Sequence, residues 1–145
     1  MDAIKLLIQD HHDAARAMDA IDSASGPAKR ALFSALVLAL KVHDRVEENI
    51  LFPAVRPHLE TAGYSPADRE AHRDFEKSIQ RLKALPVDDP HWSASFDLMR
   101  LHLQRHTSDE ESHLFLAIRS FLDDSKLEEL GRRMKLEKER LMTPV

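Results

Sequence analysis

The stretch "HDRVEENILFPAVR", running from His43 to Arg56, is written again further along as "HTSDEESHLFLAIR", from His106 to Arg119. Aligned without a gap, the copies share His, Glu, Glu, Leu, Phe, Ala and Arg. In each, a His and a Glu stand four residues apart, which on a helix puts both on one face. If that face is the apolar one, two carboxylates are driven into the interior. Ionised carboxylates are almost never fully buried unless they are paired or bound to a cation. The duplication therefore demands a helical fold with something at its centre that neutralises acid.

The rest of the chain supports helices. Only three glycines occur in 145 residues, and no period-two strand pattern is present. A first helix is expected over about 3–22, ending in "DSASGP". A second opens at Pro27, a good first-turn residue, and reaches Pro53 or Pro57, with "HLETAGY" as the next loop. Pro53 should kink or end that helix. Ser65 is expected to cap a third helix, with Pro66 and Asp68 in its first turn and Pro86 closing it. Asp89 caps a fourth, led by Pro90 and reaching about Leu122, and a shorter fifth spans about 125–142. Long helices with short connections predict an all-α, up-down-up-down four-helix bundle of one domain, 1–145. The fifth helix should lie across one end or flank.

A seam alternating by threes and fours marks the core face of each helix. It reads Ile4, Leu7, His11, Ala14, Met18, Ile21 in the first, and Phe33, Leu36, Leu40, His43, Glu47, Ile50, Ala54 in the second. The third gives Asp68, His72, Phe75, Ile79, Leu82; the fourth gives Phe96, Met99, Leu103, His106, Glu110, His113, Ala117. Every bundle helix aims a histidine inward, and two add a glutamate. One seam histidine alone is more often a hydrogen-bonded core residue than a ligand. Four imidazoles with two carboxylates make a metal centre the better reading.

Mixed imidazole and carboxylate donors without thiolate favour iron or manganese, with zinc also open. His11 and His43 would hold one ion, His72 and His106 the other, with Glu47 and Glu110 bridging. Glu48 and Glu111 fall one step off the seam, either orienting a histidine or solvated. His12, His58, His91 and His102 read as surface. His113 is open between outer hydrogen-bond donor, further ligand and core residue.

Other classes are disfavoured. Net charge is −4, with no clustered basic face, so nucleic acid is not an expected partner. No apolar run spans a bilayer, no signal peptide is read at the N-terminus, and there is no cysteine. A cytoplasmic protein is expected.

"LLIQDHHDAARAMDAI", "HDRVEENILFPAV", "EAHRDFEKSI" and "HTSDEESHLFLAI", in this order, resemble the hemerythrin-like HHE cation-binding domain over nearly the whole chain. The resemblance implies a four-helix bundle with a non-haem di-iron centre, two iron ions able to meet dioxygen. It places the family's ligand histidines on His11, His43, His72 and His106, and its glutamates on Glu47 and Glu110. Oxygen-carrying hemerythrins have His-x-x-x-His on the third helix, where this chain has Glu76, and an Asp five residues after the fourth-helix His, where this chain has Glu110 at four. The chain thus looks like the HHE branch rather than a dedicated oxygen carrier. Glu76 is open between iron ligand and surface salt-bridge partner. Its first-half counterpart is Ala15, and small Ala14 and Ala15 would leave one ion open to dioxygen, peroxide or nitric oxide. The implied function is a di-iron protein that binds or senses dioxygen, nitric oxide or iron. The alternative is a di-iron enzyme that decomposes peroxide or oxidises a small substrate. A metal-free interaction module is disfavoured by the buried glutamates.

Overall fold

The structure, a computed structural model, describes residues 1–61 and 68–143. Ser65, Pro66 and the end of "HLETAGY" lie outside the described residues. The elements are α1 (Ala3–Asp22), α2 (Gly26–Val46), a π turn π1 (Glu47–Leu51), α3 (Phe52–Thr61), α4 (Asp68–Lys83), α5 (Pro90–Asp109), a second π turn π2 (Glu110–Leu114), α6 (Phe115–Phe121) and α7 (Asp124–Met142). Among the described residues there is no strand. The second rod of the bundle is α2, π1 and α3 in one run; the fourth is α5, π2 and α6.

The helix starts follow local chemistry. Side chains of Asp2, Asp89 and Asp123 accept hydrogen bonds from the backbone N–H of Lys5, His91 and Lys126, satisfying donors that a first turn leaves unpaired. Gly26 opens α2 at φ 57°, a left-handed conformation that glycine adopts without penalty, and Pro27 follows it. The helix does not end at Pro53. The Phe52 N–H reaches back to the Glu47 carbonyl across the widened turn, so the proline falls in the first turn of α3 and points to solvent. Leu116 occupies the matching place after π2, so the proline is not what opens the turn. His58 to Thr61, expected in a loop, are the end of α3.

Each π turn inserts one residue and moves the inward face on by one. Leu51 and Val55 are buried where Ile50 and Ala54 were expected, and Leu114 and Ile118 replace His113 and Ala117. His113 is accordingly exposed.

The core falls into two clusters. One joins Leu7, Val46, Leu51, Val55, Phe115, Ile118, Leu130 and Met134. The other joins Met18, Phe33, Leu36, Leu40, Ile79, Trp92, Phe96 and Met99. His11 lies between Leu7 and Met18, and His43 between Leu40 and Val46, so the polar residues form a layer at the waist between two apolar plugs. The fifth rod, α7, lies on the flank formed by α1, α2 and π1. Gly131 makes that approach feasible: a Cβ there would stand 2.3 Å from the Met1 carbonyl oxygen and 2.9 Å from the Ala3 nitrogen.

Candidate metal centre

Five polar residues are buried within the described bundle: His11, His43, Glu47, His72 and Glu110. Glu47 is 0% and Glu110 2% exposed, while His106 stands at the edge of the layer with its side chain 20% exposed. α1, α2, α4 and α5 each contribute one histidine. The glutamates are the first residues of π1 and π2, one turn beyond His43 and His106.

The Nε2 atoms converge on the two carboxylates. Glu47 Oε1 lies 3.0 Å from His43 Nε2 and 3.5 Å from His72 Nε2. Glu110 Oε1 lies 3.2 Å from His11 Nε2 and 3.5 Å from His106 Nε2. Within each half, the His11 and His43 rings are 5.2 Å apart and the His72 and His106 rings 5.4 Å apart. Each glutamate therefore touches one histidine of each pair.

Behind the histidines stands an outer ring of acids. Asp10 Oδ2 is 2.9 Å from His43 Nδ1, Glu48 Oε1 is 3.4 Å from His72 Nδ1, and Glu111 Oε2 is 3.6 Å from His11 Nδ1. A carboxylate at Nδ1 favours the tautomer with the proton there and leaves the Nε2 lone pair to face inward. Sequence reasoning left Glu48 and Glu111 open between orienting and solvated; the structure sets both against ligand-facing rings. It missed Asp44, 3.3 Å from His72 Nε2, because that residue is one step off the seam. Lys138, which ion-pairs Asp10 at 2.6 Å from α7, has no local signal at all.

The charges are strongly perturbed. Burial opposes a proton on His43, but the Glu47 and Asp10 carboxylates outweigh it and raise the imidazole to about 10. His72 is raised to about 9 against its burial by Glu47 and Asp44. His11 is pushed down to about 4, first by burial and then by the His43 charge, and burial also lowers His106. Asp44 rises to about 6 on burial. Burial alone would raise Glu47, yet the adjacent His43 holds it well below the ordinary carboxylate range.

These pairings leave polar atoms unsatisfied. Both ring nitrogens of His11, His72 Nε2 and both oxygens of Glu47 are buried without a well-aligned hydrogen bond. Such groups cost about 1–3 kcal/mol each, more when charged. A cation at the waist would satisfy them together. Two groupings have donor atoms within 4.8 Å of one another: His11, His43 and Glu110, and His43, Asp44 and Glu47. The residues present thus fit a metal centre.

Glu76 is not in this layer. It is exposed on α4, facing a cleft toward α2 lined by Lys41, Arg45, Arg73 and Lys83. α4 lacks the π turn that carries Glu47 and Glu110 inward. His12, His58, His91 and His102 are on the surface or at its edge, and the His58 ring stacks on Phe121.

A cavity of about 590 Å³ opens beside the layer between α1, α2, α4 and α5. Its walls include His11, His72, His106 and Glu110, and the small Ala14, Ala17, Ala39 and Ala71. Ala15, expected beside Ala14 next to the site, is exposed and takes no part in them; Ala14 and Ala17 do.

A helical bundle whose waist gathers buried imidazoles and carboxylates is, by class, a cation-binding bundle protein. The chain belongs to the hemerythrin HHE cation-binding domain family, whose sequence model matches residues 2–118. It is 28% identical over 115 residues to Rv2633c of Mycobacterium tuberculosis strain H37Rv, covering 78% of this chain and 69% of that one. The same figures hold for Mb2666c of Mycobacterium bovis. In structure it is similar to the crystal structure of a hemerythrin HHE cation-binding domain-containing protein, the Rv2633c homologue of Mycobacterium kansasii. The TM-score is 0.85 at 23% identity, over 97% of this chain and 87% of that one. No helix among the described residues is long and apolar enough to cross a membrane.

Proposed function

We propose that the chain is a non-haem di-iron protein that binds dioxygen, nitric oxide or peroxide at its waist. His11 and His43 would hold one ion and His72 and His106 the other, with Glu47 and Glu110 shared between the two positions. The observation that carries this reading is that each carboxylate meets the Nε2 of one histidine from each pair. Iron is favoured over softer ions by the oxygen and imidazole donors and the lack of thiolate. When bound, iron supplies the redox change and the vacant coordination position that such ligands need.

The chain's own residues do the rest. Asp10, Glu48 and Glu111 orient the rings of His43, His72 and His11. The apolar plugs above and below close the layer along the bundle axis, leaving the cavity as its opening. Asp44, whose carboxyl burial raises to about 6, lies 3.3 Å from His72 Nε2 and is a further carboxylate within reach of the layer. The cavity admits ligand on the face walled by Ala14 and Ala17.

That cavity also supports a second reading, oxidation of a small substrate or turnover of peroxide at the same centre. About 590 Å³ is far more than a diatomic molecule fills, and is within the range of small-molecule sites. Anaerobic loading with ferrous iron, elemental analysis, and exposure to air, nitric oxide or peroxide test both. Two irons per chain with stoichiometric spectral change support binding; sustained oxygen evolution or oxygen consumption with a substrate supports the enzyme. A chain that takes up no iron, or whose loaded spectrum ignores all three reagents, overturns the proposal.

A further inference from the structure

We propose that the cavity beside the waist takes an amphipathic monocarboxylate, its head at Lys77 and Arg81 and its apolar end against the metal layer. The inference names a substrate class for the second reading above and rests on that reading.

The cavity has two unlike ends. At the inner end stand His11 and His72, both more than nine-tenths buried, with ring nitrogens that no hydrogen bond satisfies. From there it runs along the side of the second apolar cluster, past Ala14, Ala17, Leu36, Ala39, Phe75 and Leu103. Lys77 and Arg81 line it 5 and 9 residues beyond His72 on α4. At the helical rise this is about 8 and 14 Å further along the axis. The Arg81 guanidinium donates to Ser78 Oγ at 3.2 Å, and Ser78 is itself a wall residue, so the fork is held along the cavity. Neither Lys77 nor Arg81 is in an ion pair among the described residues. The acids nearby are mostly engaged. Asp10 pairs with His43 and Lys138, Asp13 accepts from Arg16 and Gln9, and Asp44 faces His72. Asp74 remains, so two cations stand against one acid and leave a place for a single negative charge. A carboxylate meets the Arg fork in two parallel hydrogen bonds. Its apolar tail then lies on the alanine and leucine wall and points at the waist, as a mostly apolar pocket with a few placed polar groups requires.

The test is calorimetric titration of octanoate into the full-length protein, chelated and cobalt(II)-loaded. Octanoate should bind both forms, and hexanoate about tenfold more weakly, since each buried methylene is worth about fourfold. Octylamine, with the opposite head, should bind at least tenfold more weakly. Arg81→Gln should weaken octanoate about tenfold and Lys77→Gln by less, with Tm unchanged, both side chains being exposed. Ala39→Phe, from an exposed position on the wall, should also cost tenfold or more. Lys83→Gln, on the other cleft of α4, should match the wild type. In the cobalt-loaded protein, the terminal methyl protons of octanoate should relax faster than those beside its carboxylate. The reverse order overturns the inference, as does equal affinity for octylamine or binding unchanged by Lys77→Gln and Arg81→Gln together. Octanoate ignored by a protein that has taken up cobalt overturns this inference alone. A chain that takes up no cobalt overturns the metal reading, and the substrate role with it.

Discussion

Glu47 sets the energetics of the waist. Its carboxylate is sealed from water and flanked by two imidazoles whose proton affinities it raises. At pH 7 the metal-free protein therefore keeps His43 (about 10) and His72 (about 9) protonated. A cation needs those Nε2 lone pairs, so its binding must expel a proton from each ring. Loading at pH 7 is expected to release about two protons per chain, and affinity should strengthen as pH rises toward the raised values. Calorimetry in buffers of different ionisation heat counts the protons; affinity that falls with rising pH would contradict the scheme. Glu47→Gln and Glu110→Gln keep the shape and remove a carboxylate charge from the layer. Each should cost tenfold or more in cation affinity, read by the same titration, whereas His113→Ala should cost nothing. At this scale the sequence was legible where the same residue types recur at the same spacing, as with His43 and Glu47, His106 and Glu110. It was not legible for Asp44, whose role depends on α4 bringing His72 across to it.

The elements explain why His113 was placed on the seam and is found outside. A period of 3.6 fits the apolar pattern of "ENILFPAV" about as well with Ile50 inward as with Leu51, because both are apolar. Only the hydrogen bond from Phe52 back to Glu47 distinguishes a π turn from an α turn, and that bond leaves no mark on composition. Both copies carry the turn at the glutamate, which ties it to the site rather than to Pro53. Deleting Asn49 should restore an ordinary α turn and bring Leu51, Val55 and Leu59 into phase with Glu47 on a regular seam. The variant is expected to stay folded, with far-UV circular dichroism close to the wild type, yet to bind cation more weakly because the Glu47 carboxylate is redirected. Undiminished binding would leave the π turn without a part in the site.

At the scale of the whole molecule, the bundle was readable because a duplicated amphipathic pattern permits few arrangements, while the docking of α7 was not. Its place on the flank depends on Gly131 lying against the backbone at Met1 and Ala3, a contact between opposite ends of the chain. Gly131→Ala should therefore destabilise the fold by about 1–3 kcal/mol, since the clash is with backbone that cannot swing aside. Metal acts on the same balance from the other side. The waist separates two apolar clusters with a layer in which both oxygens of Glu47 and both ring nitrogens of His11 are buried without a well-aligned hydrogen bond, a cost that a bound cation would remove. A ligand that binds only the folded state at a hundred times its Kd adds about 2.7 kcal/mol per site. Two such sites should lift Tm by about 15–20 °C in a chain of this size. Differential scanning calorimetry with ferrous iron or cobalt, against the chelated protein, measures the shift. Lys138→Met should lower the loaded Tm more than the chelated one if its pair with Asp10, which meets His43 Nδ1, steadies that ring for a cation. Equal losses in both forms would separate α7 from the metal centre.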